Sequence, residues 1–217
     1  MTYSGVVTPG GQPAVRELDG VTVTKVSVGP MDNNAYLLEC RSTGELTLID
    51  AANDAATLLT LVGSRPLARV ITTHRHRDHW VALQEVVSAT GCRTAAGAED
   101  VAGIPVATDE PLDDGDIVRV GDASFEVIHL VGHTPGSVAL LYEDLTGHPH
   151  LFTGDSLFPG GVGKTAGPAE FSRLLDDVSS KIFDRLPDDT WFYPGHGKDS
   201  TLGAERSSLS EWRARGW

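Results

Sequence analysis

The sequence predicts an α/β protein of mixed α+β character, packed as a four-layer αββα sandwich. In each half of the 217-residue chain, runs of apolar and β-branched residues typical of strands precede segments with helical apolar spacing. Each half would therefore supply one sheet with helices on one face, and two such sheets pack naturally against each other. Because no Pro/Ser-rich linker or low-complexity stretch separates the halves, we expect a single domain over residues 1–217.

The first half starts with an antiparallel meander, in which turn signals such as Gly29-Pro30 separate the strands. Helical and strand patterns then alternate until Gly91 ends the last helix. The predicted elements are strands at Val21–Gly29, Ala35–Cys40 and Leu46–Asp50, a helix at Ala55–Val62, a strand at Ala68–Thr73 and a helix at Trp80–Ala89.

The second half also places strands before a helix, which is the second observation behind the predicted sandwich. Its predicted elements are strands at Ile117–Val120, Phe125–Val131, Val138–Tyr142 and Leu151–Thr153, a helix from Pro168 to about Phe183 and a strand at Trp191–Tyr193.

The chain is acidic, with 17 Lys and Arg residues against 30 Asp and Glu residues and a formal net charge of -13. The acidic residues are scattered, so we expect no binding to nucleic acid or to an anionic membrane. The first residues do not form a signal segment and no long apolar run occurs, which predicts a cytoplasmic location. Cys40 and Cys92 lack a CxxC partner and are expected to be structural thiols.

One short stretch, VITTHRHRDHW at Val70–Trp80, ends a buried strand with a cluster of polar side chains. It contains the pattern H-x-H-x-D-H, formed by His74, His76, Asp78 and His79. Alternate residues of an extended segment point the same way, so the first three can converge, while His79 begins a helix. Buried groups of this kind are costly without a partner, and zinc or iron accepts both imidazole and carboxylate ligands. The motif therefore predicts a site for one metal ion or a close pair.

Three glycine-flanked loops follow other predicted strands, and each carries one more candidate ligand. GHTPGS contains His133, FTGDSLF contains Asp155 and YPGHG contains His196. Glycine allows tight turns that bring a side chain up to a shared centre. Together with the H-x-H-x-D-H motif, these loops supply seven candidate metal ligands.

In their order along the chain, these motifs resemble the metallo-β-lactamase fold and, within it, the short glyoxalase-II-like (hydroxyacylglutathione hydrolase-like) members. The resemblance covers about Val21–Glu205 and implies the metallo-β-lactamase sandwich, with its site at the sheet edges. It also implies how the seven ligands are divided. One metal would be held by His74, His76 and His133, the second by Asp78, His79 and His196, and Asp155 would bridge them.

The resemblance implies a hydrolase of small thioesters or related acyl compounds. A water shared by two divalent ions loses its proton near neutral pH, so a metal-bound hydroxide can attack the carbonyl without a serine or cysteine nucleophile. Asp78 and Asp155 are the expected catalytic carboxylates, because Asp155 bridges the metals and Asp78 could orient the hydroxide or carry a proton. Two divalent ions are expected as cofactors, with zinc favoured and iron or manganese as alternatives.

The stretch GGVGKT is not a phosphate-binding loop, because Phe158 stands where that motif requires its first glycine. In the glyoxalase-II-like family the same stretch lies at the substrate mouth, and Lys164 matches a lysine that binds substrate there. The tyrosines of full-length glyoxalase II are replaced by Ala166 and Lys198, and only about a dozen residues follow Glu205, so we expect no counterpart of its helical domain. We therefore expect a small-molecule substrate that is the thioester of a thiol cofactor. This cofactor is either glutathione or a different thiol.

Two alternatives stay open within the same fold. His74, His133 and Asp155 also match the ligands of the mononuclear-iron persulfide dioxygenases, and two histidines with one carboxylate leave positions on iron open for oxygen and substrate. A lactone or ester hydrolase would use the same seven ligands on another acyl group. A non-enzymatic relative would be expected to have lost ligands, and none is lost.

Five further residues near these motifs are expected to have structural roles. Asp50 ends a strand and is expected to form a turn or cap, with a contact to a ligand histidine as the alternative. Trp80 is expected to lie in the core, with a pocket wall as the alternative. His129 is expected to be packed or hydrogen-bonded within its strand, and His148 and His150 are expected in a hairpin turn.

Overall fold

Two β-sheets form the centre of the protein in the computed structural model, which describes residues 3–216. The first sheet has seven strands in chain order. We number them β1 to β7, and they span Ala14–Glu17, Val21–Val28, Asn33–Cys40, Leu46–Ile49, Leu67–Thr72, Arg93–Gly97 and Glu110–Leu112. Strands β1 to β4 pair antiparallel, whereas β4 to β7 run parallel to one another.

The second sheet is built from the other half of the chain. Its strands are β8 (Ile117–Val120), β9 (Ala123–His129), β10 (Val138–Tyr142), β11 (His150–Gly154), β14 (Trp191–Pro194) and β15 (Ser200–Thr201). They lie in the order β15-β14-β11-β10-β9-β8. A small separate hairpin is formed by β12 (Leu157–Phe158) and β13 (Gly161–Val162).

Helices follow the strands in both halves. They are α1 (Ala55–Val62), α2 (Leu83–Thr90), α3 (Pro168–Asp177), α4 (Leu202–Glu205) and α5 (Leu209–Arg215), and α3 continues as a π-helical turn at Val178–Phe183. Short 3-10 turns occur at Arg77–His79, Ala98–Gly103 and Arg206–Ser208. Among residues 3–216, no helix combines the length and apolar character needed to cross a membrane.

Three apolar clusters define the layers. One lies between the two sheets and includes the buried side chains of Val23 and Phe125. The second packs α1 and α2 against the first sheet through residues such as Leu58. The third packs α3 and α5 against the second sheet through Leu174 and Trp212. This order of helices, sheet, sheet and helices confirms the predicted αββα sandwich.

The predicted elements are all present, with ends that shift by a few residues. The largest correction is the start of α2, which was expected at Trp80 and lies at Leu83. The amides of Val81 and Ala82 donate to the carbonyls of Ala52 and Ala51, at 3.2 and 3.0 Å, and this keeps the preceding residues out of the helix. No element was predicted for β1, β6, β7, α4 or α5, which are short segments without a long apolar period.

The topology brings the candidate ligand loops to one edge of the sandwich. Strand β10 is antiparallel to both β9 and β11, and β14 is parallel to β11, so β9, β11 and β14 run in the same direction. His133, Asp155 and His196 follow the carboxyl ends of these three strands. His74 follows the end of β5 in the first sheet.

Candidate metal centre

The H-x-H-x-D-H motif leaves β5 in an extended conformation and then turns sharply. His76 has φ −65° and ψ 139°, and a single 3-10 turn at Arg77–His79 follows it. His74 and His79 are fully buried, whereas His76 is exposed and Asp78 is partly buried. The turn thus places four donor side chains of one segment around a small volume.

The first group of donors consists of His74, His76 and His133, whose ligand atoms lie within 4.8 Å of one another. His133 Nε2 is 2.9 Å from His76 Nδ1 and 3.2 Å from His74 Nε2. The resemblance assigned these three residues to one metal, and the structure brings them together.

The second group consists of Asp78, His79 and His196, again with ligand atoms within 4.8 Å of one another. His196 Nε2 is 3.3 Å from both His79 Nε2 and Asp78 Oδ2. The Asp78 carboxylate is also 3.6 Å from His79 Nε2. The structure therefore brings together the three residues expected to hold a second metal.

Asp155 lies between the two groups. Its Oδ2 is 3.6 Å from His133 Nε2 and 3.4 Å from His196 Nε2, and its Oδ1 is 3.4 Å from His79 Nε2. Its buried Oδ1 accepts no hydrogen bond from the residues that the structure describes. This carboxylate contacts ligand atoms of both groups, as a bridging ligand requires, and its ligand atom lies within 4.8 Å of those of His74 and His79.

His133 and His196 present an unprotonated Nε2 to the shared volume, because the Nδ1 of each ring donates elsewhere. His133 Nδ1 donates to the Lys164 carbonyl at 2.6 Å, and His196 Nδ1 donates to the Met31 carbonyl at 2.9 Å. A histidine whose Nδ1 carries a proton has its lone pair on Nε2. Lone pairs that face each other at about 3 Å repel unless a cation lies between them, so the donor set fits bound metal.

The pKa shifts of His74, His133 and Asp155 favour the protonation states that bind metal. Burial, reinforced by the neighbouring His79, lowers the pKa of His74 well below its ordinary value, and burial also lowers the pKa of His133. Burial would raise the pKa of Asp155, but the neighbouring His79 imidazole outweighs burial and holds it well below the ordinary value. Neutral imidazoles and an ionised carboxylate are the ligand forms. Burial lowers the pKa of His79, but the Asp50 and Asp155 carboxylates outweigh burial and raise it to about 10, and Asp155 likewise raises the pKa of His196, so a metal ion would displace a proton from these two ligands.

Asp50 has a larger role than the turn or cap that was expected. Its Oδ2 accepts a hydrogen bond from His79 Nδ1 at 2.8 Å, and its Oδ1 accepts one from the Thr73 amide at 2.7 Å. The Thr73 hydroxyl also donates to Oδ2 at 2.8 Å and lies 3.1 Å from His74 Nδ1. Asp50 therefore orients one ligand histidine directly and a second one through Thr73, and the alternative interpretation holds.

Asn33 is a site residue that the sequence analysis missed. Its Nδ2 donates to Asp78 Oδ2 at 2.9 Å and lies 3.5 Å from His196 Nε2. Asn33 belongs to β3, where it pairs with His196 in an isolated bridge. An asparagine at the start of a strand belongs to no recognisable sequence motif. The contact with Asp78 is therefore visible only in the folded structure.

Asp100 is a second missed residue. It is fully buried, and its carboxylate accepts hydrogen bonds from the amides of Arg75 and Gly136, each at 2.9 Å, and from the Thr134 hydroxyl. Arg75 lies between two ligand histidines, and Thr134 follows His133. One buried carboxylate therefore fastens two ligand loops to each other.

Lys25 and Asp199 form a fully buried ion pair behind the His196 loop. Lys25 Nζ lies 2.6 Å from Asp199 Oδ1, and both side chains have no exposed surface. The same ammonium donates to the Gly197 carbonyl at 2.7 Å. Because buried charges are stable only when paired and hydrogen-bonded, this pair fixes the residue after His196.

The substrate role expected for Lys164 stays a prediction. Its carbonyl accepts the His133 hydrogen bond, which places this residue beside the first donor group. Its side chain is exposed. The neighbouring loop stays close to the centre because Gly163 leaves room next to His133, whose Nδ1 would lie 3.2 Å from a Cβ at that position.

The remaining predicted residues lie away from the ligand groups. Trp80 packs against the apolar cluster between the first sheet and helices α1 and α2, and it donates from Nε1 to the Arg75 carbonyl at 2.8 Å. His129 is hydrogen-bonded at the end of its strand, as expected. His148 lies in the loop that joins β10 and β11. His150 is a correction, because it is a buried residue of β11 with Nδ1 2.9 Å from the Tyr193 hydroxyl. Cys40 and Cys92 are both buried free thiols.

The comparison with protein families agrees with this geometry. The model of the metallo-beta-lactamase superfamily matches residues 28–196. A hydroxyacylglutathione hydrolase of Polaromonas sp. is 34% identical over 166 residues, which cover 76% of this chain and 62% of that protein. One of Cereibacter sphaeroides is 36% identical over 183 residues, which cover 82% of this chain and 66% of that protein. The chain therefore spans less than two thirds of the length of these two relatives.

Solved structures show the same likeness. TTHA1623 in a di-iron-bound form has a TM-score of 0.67 and 30% sequence identity, with 84% of this chain and 96% of that chain covered. ETHE1 from Myxococcus xanthus has a TM-score of 0.77 and 26% identity, with 88% of this chain and 84% of that chain covered. The fold implies binding of divalent metal, and the clustered histidines and aspartates fit it. Because the family match extends over most of the sequence, the chain belongs to the metallo-beta-lactamase superfamily.

Proposed function

We propose that this protein is a metal-dependent hydrolase of small thioesters or related acyl compounds. The observation that carries the proposal is the pair of donor groups that share Asp155. The hydroxyacylglutathione hydrolases among the relatives support a thioester as the substrate, although the chain spans only part of their length. A lactone or another ester is the alternative substrate of the same centre.

The seven side chains would hold two divalent ions, which we propose to be zinc, with iron or manganese as alternatives. Bound there, such ions would acidify a shared water and polarise the carbonyl of the substrate. The ligands of the first ion would be His74, His76 and His133, those of the second Asp78, His79 and His196, and Asp155 would be shared.

Asp78 is the proposed proton carrier among the ligands. Burial raises its pKa, but the hydrogen bond from Asn33 and the neighbouring His79 outweigh burial, and the pKa is lowered. The carboxylate is thus ionised at neutral pH and can accept a proton from water at its Oδ1, while Oδ2 stays bound to Asn33. Lys164 is the proposed anchor for a carboxylate of the thiol cofactor.

The proposal is tested by the hydrolysis rate of S-lactoylglutathione with metal-loaded protein, followed as loss of the thioester absorbance. We expect kcat in the range of roughly 1 to 1000 per second that is usual for enzymes. Asp155→Ala should lose metal and rate together, whereas the exposed Glu211→Ala on α5 should change neither. An Asp155→Ala protein with full rate and two bound ions would contradict the assignment.

Metal analysis and a second assay separate this function from the iron oxygenase alternative. That alternative predicts one iron per chain, held by His74, His133 and Asp155, and oxygen uptake with a persulfide substrate. The hydrolase predicts two ions per chain and no oxygen uptake. Oxygen uptake without thioester hydrolysis would replace the proposed function by the oxygenase.

A further inference from the structure

A pocket of about 490 Å³ opens beside the first donor group. Its walls come from three segments: Arg75 between the ligand histidines, residues 131–135 of the GHTPGS loop, and the first half of α3 with Ala166 before it. His133 lies in the pocket wall and also belongs to the first donor group. A molecule in this pocket would therefore reach the metal centre.

Arg75 is held in place on one side of the pocket. Its backbone amide donates to Asp100 Oδ2 at 2.9 Å, and its Nε lies 3.8 Å from Asp100 Oδ1. Its stem packs over Gly103, where an added Cβ would come within 2.7 Å of the Arg75 Cδ. Among residues 3–216, the guanidinium forms no hydrogen bond, and 44% of the side chain is exposed. Its N–H donors are thus positioned and available.

Arg173 lies in the part of the pocket wall that α3 forms. This helix approaches the GHTPGS loop closely at Gly132, where an added Cβ would come within 2.6 Å of the Leu174 Cβ. Within the part of the chain that the structure describes, Arg173 takes part in no ion pair, and neither does Glu170, which lines the same wall. The pocket therefore carries two cationic groups and one anionic group next to His133.

The local charge of the pocket is opposite in sign to the net charge of the whole chain. The formal net charge is -13, so the surface as a whole repels anions. Among residues 3–216, neither the Arg75 guanidinium, which is 3.8 Å from Asp100, nor that of Arg173 forms a hydrogen bond. Beside the proposed metal centre they favour an anionic ligand locally, because the guanidinium fork binds a carboxylate through two parallel hydrogen bonds. Glu170 opposes a second negative charge, which makes a carboxylate more suitable than a phosphate dianion.

We infer that this pocket, through Arg75 and Arg173, binds a carboxylate on one arm of the substrate and so makes the enzyme selective for anionic acyl thioesters. The inference rests on the proposed function and narrows its substrate class. The carboxylate could belong to the acyl arm or to the thiol arm, and both sources offer the same chemistry to the two arginines. A neutral thioester of equal size would leave both guanidinium groups without a partner.

Two matched pairs of thioesters distinguish the sources. S-succinyl-N-acetylcysteamine and S-acetyl-N-acetylcysteamine differ in a carboxylate on the acyl arm. S-acetyl-N-acetylcysteine and its methyl ester differ in a carboxylate on the thiol arm. For one pair, we expect the metal-loaded protein to show a KM about tenfold lower for the charged member, with a smaller change in kcat.

Substitution of the arginines tests the pocket itself. Arg173→Gln should raise the KM of the preferred charged substrate about tenfold, while the kinetics of its neutral counterpart and the metal content stay unchanged. Arg75→Gln should act in the same direction. Arg119→Gln, an exposed arginine on β8, is the matched control and should change none of these values.

The outcomes separate this inference from the function on which it rests. Equal KM values within both pairs, with all four compounds hydrolysed, would overturn the carboxylate pocket and leave the hydrolase intact. A charge preference that persists in Arg173→Gln and in Arg75→Gln would also overturn it. If fully metallated protein hydrolyses none of the four compounds, the proposed thioester hydrolase is wrong, and the inference is wrong with it.

Discussion

Replacement of Asp50 by asparagine is expected to weaken metal binding at the Asp78, His79 and His196 group while leaving the backbone in place. Asp50 has φ 59°, in the left-handed region that asparagine tolerates better than most residues. The two side chains have nearly the same shape. The substitution therefore isolates the hydrogen-bonding chemistry of the carboxylate.

The expected loss of metal affinity follows from which nitrogen of the His79 ring carries the proton. In wild type, His79 Nδ1 donates to Asp50 Oδ2 at 2.8 Å, so its Nε2 lone pair faces Asp78 and Asp155. With Oδ1 still accepting from the Thr73 amide, an asparagine would place its NH₂ group against His79 Nδ1. The imidazole proton would then move to Nε2, the nitrogen that binds metal. Loss of such a partner costs about 10-fold to 100-fold in metal affinity, or about 1.4 to 2.8 kcal/mol.

The assay is a zinc titration of metal-free protein in competition with a chromophoric chelator, which resolves the affinities of the two ions. Asp54→Asn is the matched control, because Asp54 also has positive φ and caps α1 through Thr57, a role that asparagine fills equally well. Unchanged affinity for both ions in Asp50→Asn, or an equal loss in Asp54→Asn, would contradict the role of Asp50 as the partner that orients His79.

Three further predictions follow from buried polar groups. Asp100→Asn should lower the free energy of unfolding by about 2 kcal/mol in chemical denaturation, because an amide cannot accept from every donor around it; an unchanged value would contradict the loop-fastening role. Lys25→Met should cost about 3 to 5 kcal/mol by leaving Asp199 buried without its cationic partner, although the Tyr3 hydroxyl and Trp191 Nε1 still donate to it, and Lys25→Met with Asp199→Leu should recover most of it; a double variant as unstable as the single one would count against the ion pair. Burial, with the nearby Arg16 and His148, lowers the pKa of His150 to about 3. The folded state therefore resists protonation of His150, and stability that is present above the unfolded pKa of about 6.5 is lost as pH falls from there towards 3, by roughly 1 kcal/mol at pH 5.5. His150→Gln should reduce the difference in unfolding free energy between pH 7 and pH 5.5 by that amount, and an equal difference in both proteins would contradict it.

Residue spacing was sufficient to predict which side chains the fold brings together, because the candidate ligands follow the ends of strands. The apolar run before His74 and the glycine-flanked loops of His133, Asp155 and His196 each carry a local signal. The fold then brings these residues to one edge of the sandwich, because β11 and β14 run parallel and their loops leave at the same end. The layers of the sandwich were equally predictable, since each half alternates strands with an amphipathic helix.

The supporting residues could not be predicted in the same way, because their partners lie far away in the sequence. Asn33 contacts Asp78, and Asp100 contacts Gly136, yet neither stands in a motif. Asp50 was expected to be a turn residue because a lone acid at a strand end gives no sign of the histidine that it meets. His150 was expected in a hairpin turn together with His148, whereas β11 already begins at His150.

The most direct test of the dinuclear centre is an anomalous difference map from crystals of zinc-loaded protein, recorded at the zinc absorption edge. We expect two peaks, one among His74, His76 and His133 and one among Asp78, His79 and His196, with the Asp155 carboxylate contacting both. A single peak bound by His74, His133 and Asp155 alone, with the Asp78 group empty, would contradict the shared dinuclear centre.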